Sequence, residues 1–511
     1  MAVIGGKYLN LEEFYGIVIK NEKVELSNEA VSEVEKSFIF LKEFAKNRTI
    51  YGVNTGFGPM ARYKINDSDV EQLQLNLIRS HCAGSGKILP EIYARAAVLA
   101  RLNSLMLAYS GVHSDTVKLL AEFLNNNISP VIYEHGGVGA SGDLVQLAHL
   151  ALNLIGEGDV YHHGHIVQAS SVFEKLGLKP LRMHLREGLA LINGTSVMTG
   201  IGIMNLIMSK RVLNWMVAGS SIMMEVVGCY DDHYSVQTNS VKLHQAQNAV
   251  SVKLSKLLNG SLLVKSRKIN MYEKELQSGY IDEKVQEFYS IRCVPQVLGP
   301  VLDTLDFSEK ILFDELNSVN DNPVIDHNAQ FVFHGGNFHG DYVSFEMDKM
   351  KTAITKLTML SERQINYLMN PKLNEKLPPF VNLGRLGFNY GMQAVQFTAV
   401  STTAESQTLC FPNYIHSISS NNDNQDIVSM GTNSANIART VIENAFEVVS
   451  IELIALIQAV DCLDCSREMS ENTRDIYHDL RKVIPVFKED SPRHHAVRLM
   501  REYIYYNDLK I

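Results

Sequence analysis

Basic residues are in the minority in this 511-residue chain. Its 47 lysines and arginines stand against 56 aspartates and glutamates, for a net charge of −9 at pH 7. Such a balance offers no cationic footprint for a phosphate backbone, so nucleic acid is not an expected partner. Cysteine is sparse: Cys82, Cys229, Cys293, Cys410, Cys462 and Cys465 are scattered, and the opening run Met1-Ala2-Val3-Ile4-Gly5-Gly6-Lys7 has no long apolar stretch. Free thiols and a cytoplasmic setting are therefore expected. Cys462-Leu463-Asp464-Cys465 is a lone C-x-x-C with neither a second ligand pair nor a βαβ context, and reads as two cysteines on one helical face. Internal repeats, low-complexity tracts and proline-rich linkers are missing. Gly188 to Ser209 is uncharged and near bilayer-spanning length, but Asn193, Thr195, Ser196, Thr199 and Asn205 interrupt it. It reads as a buried helix, and no membrane association is expected.

Strand signals are few, and helical periodicity fills the gap. Ser27-Asn28 can cap a helix whose apolar positions Val31, Val34, Phe38 and Leu41 recur at spacings of three and four. Tyr342 to Met369 repeats the pattern through Met347, Met350, Ile354, Leu357 and Leu360, with Pro371 beyond it. Ser434 to Val460 does so through Ile437, Val441, Ala445, Val448 and Ile451. Long amphipathic helices imply a bundle, so the expected fold class is mainly α. Val160 to Val167 reads as a small hairpin. Its tract His162-His163-Gly164-His165 could suggest a metal but is taken as structural, and no metal site is expected. The expected division is a loop-rich part over 1–200 followed by long helices over 201–511.

Gly139-Ala140-Ser141-Gly142-Asp143-Leu144 carries the most chemical information. Gly142 has no Cβ, so its amide nitrogen can approach the carbonyl carbon of Ala140. Ring closure with loss of two waters, one taking the Ser141 hydroxyl, would build an electrophile from protein alone. Gly137-Val138-Gly139-Ala140-Ser141-Gly142 also fits the G-x-G-x-x-G dinucleotide fingerprint. An extended-looking Pro130 to Tyr133 precedes it, a helical Leu144 to Ile155 follows, and the acidic Glu157 and Asp159 come later. The repeated βαβ context that the fingerprint needs is not visible.

Five motifs in order bear on the choice. They are Tyr51-Gly52-Val53-Asn54-Thr55-Gly56-Phe57-Gly58, Gly139 to Leu144, Leu191-Ile192-Asn193-Gly194-Thr195, Tyr289-Ser290-Ile291-Arg292-Cys293-Val294-Pro295-Gln296, and Gly335-Gly336-Asn337-Phe338-His339. Together they resemble the aromatic amino acid ammonia-lyases, a family of histidine, phenylalanine and tyrosine lyases and related aminomutases. The resemblance implies a long-helix bundle of the histidine ammonia-lyase/fumarase-like type, assembled as a homotetramer whose active sites draw on three subunits. It implies a small amino-acid substrate, and a methylidene-imidazolone (MIO) group formed from Ala140, Ser141 and Gly142, with no external cofactor. It also makes Tyr51 the general base on a mobile loop containing Gly58. A phenol titrates near 10 in water, so that role asks the site to favour the phenolate. Tyr289 joins the catalytic set by the same resemblance. Arg292 is implied to grip the substrate carboxylate, for which its planar fork is suited. Gln286, Tyr289 and Arg292 are three residues apart and would share one helical face. Asn193, Asn322 and Phe338 are implied to border the MIO group or the substrate.

Two positions bear on the substrate. Ser80-His81 matches the selectivity pair of histidine lyases, and His81 could hydrogen-bond a phenol hydroxyl or an imidazole nitrogen. Leaving it unpaired beside a plain phenyl ring would cost about 1–3 kcal/mol. Gln425, in Asn424-Gln425-Asp426-Ile427-Val428-Ser429-Met430, stands where histidine lyases usually carry glutamate, and the segment resembles bacterial tyrosine lyases. A polar His81 with a neutral Gln425 selects a neutral ring bearing a hydroxyl. The expected reaction is L-tyrosine to 4-hydroxycinnamate and ammonia, with histidine to urocanate and a tyrosine 2,3-aminomutase as alternatives.

Overall fold

The computed structural model describes residues 1–273, 279–281 and 283–509. Its architecture is mainly α. The longest helices are Ser196–Val227, Val294–Leu316, Asp341–Met369 and Gly431–Leu463. Each has the apolar periodicity expected of a bundle, and the buried positions include Met347, Met350, Ile354, Leu357, Val441, Ala445, Val448 and Ile451. The helix Asn28–Ala45 begins where its cap was expected, with Ser27 Oγ accepting from the Ala30 amide at 3.4 Å. Every residue from Gly188 to Ser209 is buried, in the short helix Glu187–Ile192 and the start of Ser196–Val227. Among the described residues, no helix is long and apolar enough to cross a membrane.

The strands are three or four residues long. Asp159–His162 and His165–Gln168 form the expected hairpin. His163 (φ 52°) and Gly164 (φ 77°) turn it with the left-handed pair that tight hairpins need. The stretch Pro130 to Tyr133 is divided. Ile128–Pro130 pairs antiparallel with Asp159–His162, while Tyr133–His135 pairs antiparallel with Ser85–Ile88. The only parallel pairing between described strands is Ala2–Ile4 with Val24–Leu26. The G-x-G-x-x-G run therefore opens a helix without the parallel sheet a dinucleotide site requires.

The chain divides into two compact units that are interleaved in sequence. One comprises Met1–Asn205, Ser308–Asp348 and Pro412–Ala438. It holds the short strands and a core cluster of Leu41, Ala45, Ile50, Val53, Ile325 and Val332, which packs the root of the Tyr51 loop. The other comprises Leu206–Phe307, Lys349–Phe411 and Arg439–Ile511, and among its described residues the regular elements are all helices.

Within that helical unit the Glu452 carboxyl is fully buried. Ser361 Oγ donates to its Oε2 at 2.5 Å, and Oε1 has no partner among the described residues. Burial raises its pKa to about 8. The folded chain thus holds this proton more tightly than the unfolded chain, so the stabilisation is complete at acid pH and is lost as pH rises through about 8. Glu452→Gln should flatten that decline. Urea unfolding across the range should show a slope shallower by up to about 1.4 kcal/mol per pH unit.

Candidate active site

The Ala140-Ser141-Gly142 turn is held by backbone contact. Gly142 has φ +73°, and a Cβ built on it would lie 2.0 Å from the Gly194 carbonyl oxygen. The next amide, Asp143 N, donates to that same oxygen at 2.8 Å. Gly139 is equally confined: φ is +74°, and a Cβ would fall 2.0 Å from Ser429 Oγ. Its carbonyl accepts from Ser429 Oγ at 3.0 Å and from the Gly340 amide at 3.1 Å. Met430 N donates to Val138 O at 2.9 Å. Segments far apart in sequence therefore clasp the turn on both sides.

Asp143 anchors it from below. One carboxylate oxygen accepts from Val197 N at 2.8 Å and Met198 N at 2.9 Å, at the start of the Ser196–Val227 helix. The other accepts from Thr432 Oγ1. Burial raises its pKa to about 6, against the pull of these donors and of Arg101. Arg101 is itself fully buried and donates to Ala190 O at 2.5 Å and Asn320 Oδ1 at 3.2 Å. Arg186 pairs with Asp321 at 3.1 Å, both side chains being fully buried, and donates to Asn322 O at 3.0 Å.

The sequence-predicted residues of this unit converge. Asn193 Nδ2 donates to Ser141 O at 3.0 Å, while its Oδ1 accepts from Asn322 N at 2.8 Å. Asn322 Oδ1 accepts from Gly335 N at 2.8 Å, at the root of the Phe338 loop. Gln425 Nε2 donates to Ser141 Oγ at 3.0 Å. Gln425 is aimed by a tight turn in which Asn421, Asn422 and Asp423 are all left-handed (φ 51–58°), a conformation asparagine and aspartate tolerate best. Ser420 and Gln425 close the turn by mutual backbone hydrogen bonds of 3.1 and 3.3 Å.

These groups line a cavity of about 660 Å³ together with Tyr51, Gly58, Ser80, His81 and Phe338. The Tyr51 hydroxyl accepts from Gly58 N at 3.2 Å. His81 ends the helix Val70–His81, and its Nδ1 lies 2.9 Å from Leu77 O and 3.1 Å from Ser80 Oγ. A carbonyl can only accept, so Nδ1 carries a proton, and in the corresponding neutral tautomer Nε2 is an acceptor.

Leu73, Asn76, Leu77, Met60, Asn421, Asn424 and His334 also line the cavity and were not anticipated. The first three were readable in principle, because they share the helical face of Ser80 at spacings of three, four and seven. His334 and Asn421 lie on loops, where no periodicity marks a direction.

Gln286, Tyr289 and Arg292 belong to the other unit. The expected common helical stripe is only partly formed. Tyr289–Arg292 is a single turn, and Phe288 before it is extended (ψ 156°), so Gln286 is off the helix. The Arg292 guanidinium stacks over the Tyr289 ring at 4.8 Å, and its buried Nε has no partner among the described residues. It makes no hydrogen bond or ion pair among the described residues. The His162 and His163 rings lie 4.1 Å apart at a tilt of 52°, and no group of three or more His, Cys, Asp or Glu among the described residues is placed to hold a metal ion.

Gly142→Ala should destabilise the protein by about 3 kcal/mol, since both the left-handed backbone and the Gly194 carbonyl oppose a methyl group. Thermal unfolding measures this, and a melting temperature equal to wild type would refute the close contact.

The family model for aromatic amino acid lyases matches residues 9–482. The tyrosine 2,3-aminomutase of Chondromyces crocatus is 39% identical over 508 residues, covering 98% of this chain and 96% of that protein. The histidine ammonia-lyase of Geobacillus thermodenitrificans is 37% identical over 494 residues, covering 96% and 94%. Among solved structures, the phenylalanine aminomutase of Pantoea agglomerans superposes with a TM-score of 0.94 at 34% identity, covering 99% of both chains.

Proposed function

The chain belongs to the aromatic amino acid lyase family, and from that premise we propose that it deaminates L-tyrosine to trans-4-hydroxycinnamate and ammonia. Ala140, Ser141 and Gly142 are the precursors of its MIO group. Their surroundings fit that reading: Gly142 sits where no side chain could, and its neighbours press the turn from both sides. The group supplies an electrophile that turns the substrate amine into a leaving group, without an external cofactor.

The remaining work falls to the side chains. Tyr51 takes the β-proton on its phenol oxygen, where the Gly58 N–H already donates. Asn193 holds the Ser141 carbonyl. Tyr289 and Arg292 are supplied to the cavity by a neighbouring copy in a homotetramer, and the Arg292 fork, whose Nε has no partner among the described residues, takes the substrate carboxylate. Gln286 joins them from the same copy.

The observation that carries the choice of tyrosine over phenylalanine is the fixed ring of His81. With Nδ1 committed to Leu77 O, Nε2 accepts a hydrogen bond from a ring hydroxyl. Gln425 favours the same substrate, since a neutral amide lacks the negative charge that would favour a cationic imidazole. A tyrosine 2,3-aminomutase is the second reading, favoured by the 39% identity to a protein of that name. It would use the same residues and return the ammonia to the β-carbon.

Parallel ultraviolet time courses with L-tyrosine, L-histidine and L-phenylalanine test the substrate. 4-Hydroxycinnamate should accumulate with tyrosine, urocanate would select the histidine lyase, and β-tyrosine found by chromatography would select the aminomutase. Intact mass should be two waters below the sequence mass. Ser141→Ala should abolish both that loss and the activity, and retention of full activity would overturn the mechanism. His81→Leu should lower kcat/KM for tyrosine by about 10- to 100-fold, the discrimination expected when a buried hydroxyl loses its partner.

A further inference from the structure

Gln364 lies on the buried side of the helix Asp341–Met369, where its neighbours Leu357, Leu360, Ile365 and Leu368 are apolar. A primary amide with no exposed surface must find partners. Its Nε2 donates to Ser290 O at 2.8 Å, and the Ser220 hydroxyl lies 3.1 Å from Nε2 and 3.3 Å from Oε1. Ser290 is the second residue of the single turn Tyr289–Arg292. Inside that turn, Phe288 O accepts from Ile291 N and Arg292 N, and Tyr289 O accepts from Cys293 N. The Ser290 carbonyl is the one that reaches out to a side chain of the long helix. Lys284, just before the turn, reaches the same helix through the Tyr367 hydroxyl at 3.0 Å.

Arg292 has no such tether. Its guanidinium rests on the Tyr289 ring and is otherwise unpartnered among the described residues. A fork with no protein partner keeps its binding capacity, but its aim then depends on the backbone that carries it. A bidentate carboxylate contact tolerates little angular error.

We infer that Gln364 is a positioning residue, which acts through the Ser290 carbonyl to hold the turn that aims Arg292 at a substrate carboxylate, with the Ser220 hydroxyl orienting its amide. The inference rests on the carboxylate role proposed for Arg292. Gln364→Met keeps the volume and removes the donor.

The test compares inhibition by 3-(4-hydroxyphenyl)propanoate, which has the carboxylate, with inhibition by tyramine, which lacks it. Gln364→Met should weaken the propanoate by about tenfold, the scale of a misaligned contact, and leave tyramine unchanged. Ser220→Ala should give a smaller loss of the same selectivity, and it decides the matter if Gln364→Met fails to fold. Equal weakening of both inhibitors, or of neither, would overturn the positioning role. Arg292→Ala is run beside them. If that variant keeps wild-type affinity for the propanoate, the carboxylate role itself is wrong. If it loses affinity while Gln364→Met and Ser220→Ala do not, only the positioning role fails.

Discussion

The contact of Gly142 with Gly194 is the constraint on which the candidate site depends. Two backbones meet there with no room for a side chain on either. A Cβ on Gly194 would fall 2.3 Å from Arg101 Nη1 and 2.6 Å from Asn320 Oδ1. Once the two glycines touch, Asp143 N finds the Gly194 carbonyl, and the Asp143 carboxylate meets the first amides of the Ser196–Val227 helix. Asn193, one residue before Gly194, then reaches Ser141 O on the other side of the turn. A single close approach thus sets the positions of residues 139–143 and 193–198 together.

Such an approach places many polar backbone groups where water cannot serve them, and buried charges take over that task. Arg101 satisfies the Ala190 carbonyl, Arg186 satisfies those of Ser110 and Asn322, and Asp321 balances the latter cation. Replacing such charges with apolar groups would strand the carbonyls, so the ionic groups here serve geometry more than net stability. Burial lowers the pKa of Arg101 to about 10 and raises that of Asp143 to about 6. Burial is the main cause of both shifts.

The legible and the illegible parts of this chain divide along physical lines. Long helices announce themselves, because Met347, Met350, Ile354 and Leu357 repeat at the period of the structure they form. The Ala-Ser-Gly turn was legible as a close backbone approach, since Gly142 has no side chain to oppose one. The dinucleotide alternative on the same residues was already weakened by the missing βαβ repetition, and the strand pairing removes the parallel sheet it needs. Pro130 to Tyr133 has strand-like composition, yet its two ends join different antiparallel sheets, and local composition does not encode partners. The stripe through Gln286 was misread because three-residue spacing presumes a helix. Phe288 leaves the helical region immediately before Tyr289, and nothing in the composition marks that break. His334 and Asn421 were invisible for a related reason: a loop residue faces a cavity through the path of its backbone.

Polar satisfaction separates scaffold from site. Around the turn, Asp143 and Asn193 have their acceptor groups filled by the protein, and Gly139 O takes two donors. These residues are spent on holding shape. His81 is different, since one nitrogen is fixed by Leu77 O and the other is left to the cavity. Arg292 is different again, with a buried Nε that nothing in the described chain meets. An unfilled polar atom in a half-buried setting is unfavourable unless a ligand completes it. The groups left incomplete among the described residues are one ring nitrogen of His81 and the guanidinium of Arg292, and under the proposed function each is completed by substrate instead of by protein.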